Sequence, residues 1–305
     1  MNNTQTSKNN IALFNETVQQ YYDLTKPRVV MLIVFTAFVG MLLAVPGMPD
    51  WMLVFWASLG IGLAASSGAA MNQIIDMQAD AKMARTQNRP LPQGHVKVWQ
   101  AVVFAVFLTV ASMLILVKFV NPLTAILTFA SMVGYGVIYT VFLKPATPLN
   151  IVTGGAAGAA PPLLGWVAMT NVVSPEACLL FLIIFTWTPP HFWALALYRR
   201  EEYAKADVPM LPVTHGERYT LLQIVLYTIV MVVVTLMPFA IGMFSLIYLL
   251  AAVVLNAVFL KYVITLYSNY SDELSRKTFI YSIQYLAYIF AAMLIDHYVS
   301  PLLGI

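Results

Sequence analysis

The chain has 305 residues, of which 60% are apolar and 10% charged, with a formal net charge of +3; an ordinary soluble domain is about 25% charged. That balance excludes a soluble enzyme, a disordered chain and a nucleic-acid-binding domain, because the charges suffice neither to solvate a globule nor to build a basic face. The single cysteine, Cys178, excludes a disulfide framework, a thiolate metal site and covalent c-type haem attachment. What is left is an all-α, polytopic membrane protein.

In chain order, residues 1–28 are a polar segment with no basic stretch ahead of a short apolar run, so a cleaved signal peptide is not expected. Residues 11–22 are mildly amphipathic and are expected to lie along the membrane surface. A single membrane domain, 29–305, follows. Windows of roughly 20 apolar residues predict nine spans at 29–45, 51–71, 98–117, 122–142, 150–170, 177–197, 220–241, 244–264 and 279–299. With the N-terminus inside, every lysine and arginine except Lys118 falls on one side, the bias that marks the cytoplasm. The outer connections are short. The inner ones, 72–97, 198–218 and 267–278, are long and polar, so chemistry on a water-soluble group is expected at the inner face, with its apolar attachment in the bilayer.

The second span is expected to continue unbroken through Asn72, Asp76 and Asp80. Spacing of i, i+4, i+8 puts the three on one helical face over about 12 Å of axis. Two carboxylates and an amide oxygen, with no histidine or thiolate beside them, are hard ligands suited to Mg²⁺ completed by phosphate oxygens. Lys82, Arg85 and Arg89 follow as candidate phosphate ligands, and Pro90 and Pro92 bend the loop. A second acidic loop carries Glu201, Glu202 and Asp207 after the sixth span. Both loops follow even-numbered spans and so face one compartment, where two acidic clusters can enclose a diphosphate. Departure of diphosphate from an allylic isoprenoid leaves a carbocation, which needs shelter from water and aromatic faces. Tyr135, Tyr139, Phe142, Trp187, Phe192 and Trp193 are candidates to supply them.

These residues resemble the UbiA superfamily of intramembrane prenyltransferases. The resemblance runs from Leu24-Thr-Lys-Pro-Arg28 through the last spans, and its first signature stands here as Asn72-xxx-Asp76-xxx-Asp80-xx-Met83-x-Arg85-Thr86-xx-Arg89-Pro90-Leu91. The stretch from Tyr139 through Lys144 and Asn150 to Pro162 is similar to the family's fourth-to-fifth-span region. The run Trp187-Thr-Pro189-Pro190-His191-Phe192-Trp193, with Val208–Pro212 after it, resembles the haem-modifying branch.

The resemblance implies a nine-helix UbiA-type bundle with a central cavity open to the cytoplasmic face, embedded in a bacterial inner membrane. The implied reaction joins the farnesyl group of farnesyl diphosphate to a vinyl carbon of haem B. Asn72, Asp76, Asp80 and Glu202 are then expected to hold Mg²⁺, and Arg85, Arg89, Lys144 and Asn150 the diphosphate, with Asp76, Asp80, Arg85 and Lys144 catalytic. His191, Trp193, Tyr139 and Trp187 are expected to form the haem pocket. A downstream haem-modifying enzyme or a second copy of the chain are partners consistent with such a role. Glu202 stands where the family usually has Asp. An aromatic quinone precursor as acceptor, and a secondary transporter, are the alternative readings; the Pro-Pro-His-Phe-Trp run speaks against the first and the one-sided acids against the second.

Overall fold

A computed structural model describes residues 15–81, 86–143, 147, 149–205 and 208–304. Lys82, Arg85, Lys144 and Asp207 lie outside the described residues. The helices are α1 (Asn15–Leu24), α2 (Pro27–Leu43), α3 (Trp51–Ile75), α4 (Val98–Phe119), α5 (Pro122–Val133, continued by a π-helical stretch Gly134–Leu143), α6 (Asn150–Thr170), α7 (Pro175–Tyr198), α8 (Gly216–Ala240), α9 (Leu246–Ser268) and α10 (Asp272–Leu303). Eight of them are long and apolar enough to cross a membrane. A ninth span is made by α2, which joins α1 at a 54° bend. Successive spans alternate in direction, so both acidic loops lie at the end that holds most lysines and arginines, here called the basic end.

The far end is closed by short turns whose side chains cap the next helix. Asp50 accepts from Met52 N at 2.9 Å, Asn121 from Thr124 N at 2.8 Å, Ser174 from Ala177 N at 3.4 Å and Ser245 from Ile247 N at 3.2 Å. Each cap satisfies one of the amide groups that a helix start leaves without an intrahelical acceptor. Proline at the first helical position of α2, α5 and α7 reinforces the start.

At the basic end the helices outrun the apolar windows. α10 begins at Asp272 rather than 279, because Ser271 caps it and Glu273 pairs with Lys277 one turn on at 2.7 Å. The expected loop 267–278 thereby shrinks to residues 269–271. Polar turns extend the helix into water without adding to its hydropathy.

Close crossings hold the bundle together. A Cβ on Gly40 would lie 2.1 Å from Pro162 O, and one on Gly165 would lie 1.9 Å from Ala37 O, so α2 and α6 meet backbone to backbone. Lipid tails supply little hydrophobic drive between helices, and small residues gain dispersion by letting helices approach. α3 and α4 add hydrogen bonds, from Ser67 Oγ to Ala105 O at 2.8 Å and from Ser112 Oγ to Gly60 O at 2.7 Å. Between α8, α9 and α10 a buried network runs from Tyr285 OH to Asn256 Oδ1 (2.7 Å) and from Asn256 Nδ2 to Thr235 Oγ1 (2.9 Å).

Asp296 of α10, 2% exposed, caps α9 from outside. Its carboxylate accepts from Ser245 N (3.0 Å), Ser245 Oγ (2.6 Å) and Tyr248 N (2.9 Å). Charge-assisted bonds at a helix N-terminus exceed the usual cap. Asp296→Ala is therefore expected to cost about 2–3 kcal/mol, read as a lower unfolding midpoint in detergent, with Asp296→Asn losing less. An alanine variant as stable as the parent would contradict this account.

Candidate active site

Asn72, Asp76 and Asp80 emerge from α3 at the basic end. α3 stops at Ile75, and a separate turn, Met77–Asp80, carries the chain on. The expected unbroken helix is thus interrupted at Asp76, although no glycine or proline announces it. Two bonds bridge the interruption, Asp76 N to Asn72 O at 2.9 Å and Asp80 N to Asp76 O at 2.8 Å. These preserve the i, i+4, i+8 line.

The line is already engaged by cations and donors. Asn72, 5% exposed, donates from Nδ2 to Asp76 Oδ2 at 2.9 Å, and its Oδ1 accepts from Lys26 Nζ. Arg89 Nη1 meets Asp80 Oδ2 at 2.5 Å, and Thr86 Oγ1 donates to Asp80 O at 3.0 Å. Lys26 had no role in the sequence beyond its charge. It precedes Pro27, which bars the right-handed helical region, and it sits at φ 51°, a left-handed conformation unusual for lysine. Gln73 holds this bend by donating to Asp23 O and Leu24 O, both at 3.0 Å.

A tyrosine pair lies within electrostatic reach of groups on both loops. Tyr135 and Tyr139 stack in the π-helical stretch with ring centroids 5.7 Å apart. Asp76 and Arg89 lie within electrostatic reach of Tyr135, and Asp76 and Tyr203 within reach of Tyr139. Tyr203 belongs to the short helix Arg200–Lys205 of the second loop, so Tyr139 feels charge-bearing or ionisable groups of both loops. Glu202 on that helix pairs with Arg199 at 3.5 Å. Among the described residues, no three histidine, cysteine, aspartate or glutamate side chains are grouped to hold a metal. The donor chemistry nevertheless fits a hard divalent cation: the aligned groups present only oxygen ligands, and an ammonium and a guanidinium already sit on two of them. Asn150, 1% exposed, opens α6 at the same end.

α6 joins the two halves of the site. A Cβ on Gly154 would fall 2.3 Å from the Tyr139 ring, and one on Gly155 would fall 3.0 Å from Thr188 Cγ2 of α7, whereas Gly158 faces open space. Gly154 and Gly155 are thus pressed by neighbouring side chains, and Gly158, one turn on, is not. Gly154→Ala is expected to push Tyr139 aside and lower turnover about tenfold, since a displaced site group of this kind is worth of the order of 1–3 kcal/mol. Gly158→Ala is expected to leave turnover unchanged. Equal rates for the two variants would remove Tyr139 from the site.

His191 lies on α7, buried to 8% exposure. Its ring is stacked between Trp187 (centroids 4.2 Å apart, 19°) and Phe279 of α10 (4.6 Å, 25°), with Phe192 edge-on at 5.0 Å. Its Nδ1 lies 2.6 Å from Ser282 Oγ, and Trp187 Nε1 donates to Ser282 O at 2.8 Å. Pro189 and Pro190 sit inside α7 without breaking it. Trp193 is different: it faces α8 and meets Tyr227 edge-on at 5.2 Å, fully buried in the core. His297 stays at the far end, bonded to Val45 O at 3.1 Å, where it helps line a cavity of about 460 Å³ with Trp166, Glu176 and Phe244.

Membrane-crossing helices that bring acids, an amide and two cations together at one end, with aromatic rings close by, suit an intramembrane enzyme. Such an arrangement can grip a charged head group at the bilayer surface while the remainder of a substrate stays in the apolar interior. The chain belongs to the UbiA prenyltransferase family, whose pattern matches residues 33–291. It is 56% identical over 282 residues to the protoheme IX farnesyltransferase of Nitrosospira multiformis, covering 92% of this chain and 95% of the relative. It is 58% identical over 280 residues to the protein of that name from Thiobacillus denitrificans, covering 92% and 94%. In fold it is similar to a solved structure of digeranylgeranylglyceryl phosphate synthase in membranes (TM-score 0.80, 18% identity, covering 92% of this chain and 99% of that one). It is also similar in fold to a UbiA homologue from Archaeoglobus fulgidus bound to DMAPP and Mg²⁺ (TM-score 0.62, 16% identity, covering 90% and 99%).

Proposed function

We propose that this chain is a prenyltransferase that joins farnesyl diphosphate to haem B. The C1–O bond of the donor breaks and its electron pair leaves with diphosphate. A bond then forms between farnesyl C1 and the terminal vinyl carbon, and water adds to the inner vinyl carbon with loss of a proton. The product is haem O, with a hydroxyethylfarnesyl side chain, made for a terminal oxidase. The observation that carries this reading is identity of 54–58% over about 92% of the chain to protoheme IX farnesyltransferases.

Asn72, Asp76 and Asp80, joined by Glu202 from the second loop, hold the divalent metal in this reading. Mg²⁺, the ion bound by the Archaeoglobus homologue, neutralises diphosphate oxyanions when present. Arg89 and Asn150, with Arg85 and Lys144, bind the diphosphate; the positive side chains stabilise the charge that develops on it. The Tyr135–Tyr139 pair lies beneath the acidic line and offers aromatic faces to the allylic cation while keeping water out. His191 and Trp187 hold the porphyrin, and Trp193 backs them from the core. The central cavity opens to the cytoplasm of a bacterial inner membrane, a placement supported by the crowding of lysine and arginine at that end.

Purified protein given farnesyl diphosphate, haem B and Mg²⁺ is expected to form a more hydrophobic haem, and to stop on chelation. Turnover of an aromatic quinone precursor, with haem B left unmodified, would overturn the assignment of the acceptor.

A further inference from the structure

His191 is held by a residue to which the sequence pointed in no way. Ser282 lies in the middle of α10, 0% exposed, and binds both members of the α7 aromatic pair: its carbonyl takes the Trp187 indole N–H, and its hydroxyl meets His191 Nδ1. The hydroxyl has one proton and two neighbours at equal range, Phe279 O and His191 Nδ1, both at 2.6 Å. A carbonyl oxygen only accepts, so the proton goes to Phe279 O. Ser282 Oγ must then accept from His191, and Nδ1 carries the imidazole proton. The opposite assignment leaves two acceptor oxygens face to face at 2.6 Å.

The neutral ring therefore bears its lone pair on Nε2. Both ring faces are covered, by Trp187 and Phe279, and the Nδ1 edge is closed by Ser282. Nε2 has no hydrogen-bond partner among the described residues, and it is not among the side-chain atoms sealed from solvent without one. Part of the residual exposure of His191 therefore lies at Nε2. Ser275, two turns earlier on α10, shows what a purely structural hydroxyl does here: it donates to Ala194 O at 2.7 Å and has no hydrogen bond to a titratable group among the described residues.

We infer that Ser282 is a positioning residue for the acceptor: it fixes the tautomer and the plane of His191 so that Nε2 offers a lone pair to the haem. A hydrogen bond at the distal ring nitrogen is how proteins orient histidine towards iron and raise its basicity. The inference rests on the reading of His191 as a haem-pocket residue.

The test is titration of full-length protein in detergent with haem B, followed by the Soret band and by the bound fraction. Steady-state KM values for haem and for farnesyl diphosphate are measured alongside. Ser282→Ala is expected to weaken haem binding about tenfold, to diminish the Soret shift and to raise KM for haem while KM for farnesyl diphosphate stays put. Ser282→Thr is expected to restore all three, since its hydroxyl reaches the same preceding-turn carbonyl. Should the alanine variant unfold, Ser282→Cys keeps the volume with a poor acceptor and is expected to show the same losses. Parental haem binding in Ser282→Ala or Ser282→Cys, or a threonine variant no better than alanine, would overturn the role of Ser282. His191→Ala separates the two levels. If it binds haem as the parent does, the reading of His191 itself falls; if it loses the Soret shift while Ser282→Ala keeps it, only the role of Ser282 falls.

Discussion

Replacing Asp76 and Asp80 together by alanine is expected to reduce prenyl transfer at least 10³-fold while leaving a folded protein. Loss of a single preorganised electrostatic group at a reacting centre typically costs 10²–10³ in rate, and 10³ corresponds to about 4 kcal/mol of transition-state stabilisation. The structural cost is far smaller. Arg89 loses its Asp80 partner, but its side chain is 24% exposed and solvent takes over. Asn72 loses Asp76 and keeps Thr140 Oγ1, 3.4 Å from its amide nitrogen. Rate and unfolding midpoint therefore separate in this variant. Near-parental turnover by the double variant would remove the acidic line from the chemistry.

The second large effect is structural. Gly165→Leu is expected to prevent accumulation of folded protein, and Gly165→Ala to destabilise by about 3 kcal/mol or more, at or beyond the upper end for overpacking. The new Cβ would sit 1.9 Å from a backbone oxygen, Ala37 O, and backbone cannot rotate away as a side chain can. Gly40 makes the reciprocal contact with Pro162 O, so relief at one position tightens the other. Gly158→Ala on the same helix meets nothing within 4 Å and serves as the control. Monodisperse yield and unfolding in detergent measure both, and a stable, well-expressed Gly165→Leu would mean that α2 and α6 do not cross as described.

Where the chain enters and leaves the apolar layer was legible wherever a local device marks the boundary. Asp50, Asn121 and Ser174 stand directly before their helices, Pro122 and Pro175 open the last two of these, and Pro27 opens α2. The start of α10 is hidden from an apolar window, because residues 272–278 are helical yet polar; the polar end of α3 is legible only from the i, i+4, i+8 spacing of its side chains. The π-helical stretch is invisible in the sequence: Gly134–Leu143 is as apolar as the α-helix before it, and what sets it apart is its packing against both α3 and α6.

In the site, Asn72, Asp76 and Asp80 were legible from spacing alone, since their alignment follows from the pitch of one helix. Lys26 and Ser282 were not. Each acts on a partner far along the chain, Asn72 and His191 respectively, and a lone lysine near a membrane edge or a lone serine in a span reads as nothing more than charge or tolerated polarity. Gly154, Gly155 and Gly158 read alike in the sequence as small residues, and only the neighbour decides which of them is pressed.

The side-chain-capped turns at the far end have a mechanical counterpart. Turns of a few residues, each bolted by Asp50, Asn121, Ser174 or Ser245, leave no slack there, and the α2–α6 crossing pins the first half of the bundle near the same level. Two of the connections at the other end, 76–97 and 199–215, are several times longer. Breathing of the bundle is accordingly expected to pivot at the far rim, with helix separation growing towards the end where a bulky planar guest and a fifteen-carbon tail have to be admitted and let go.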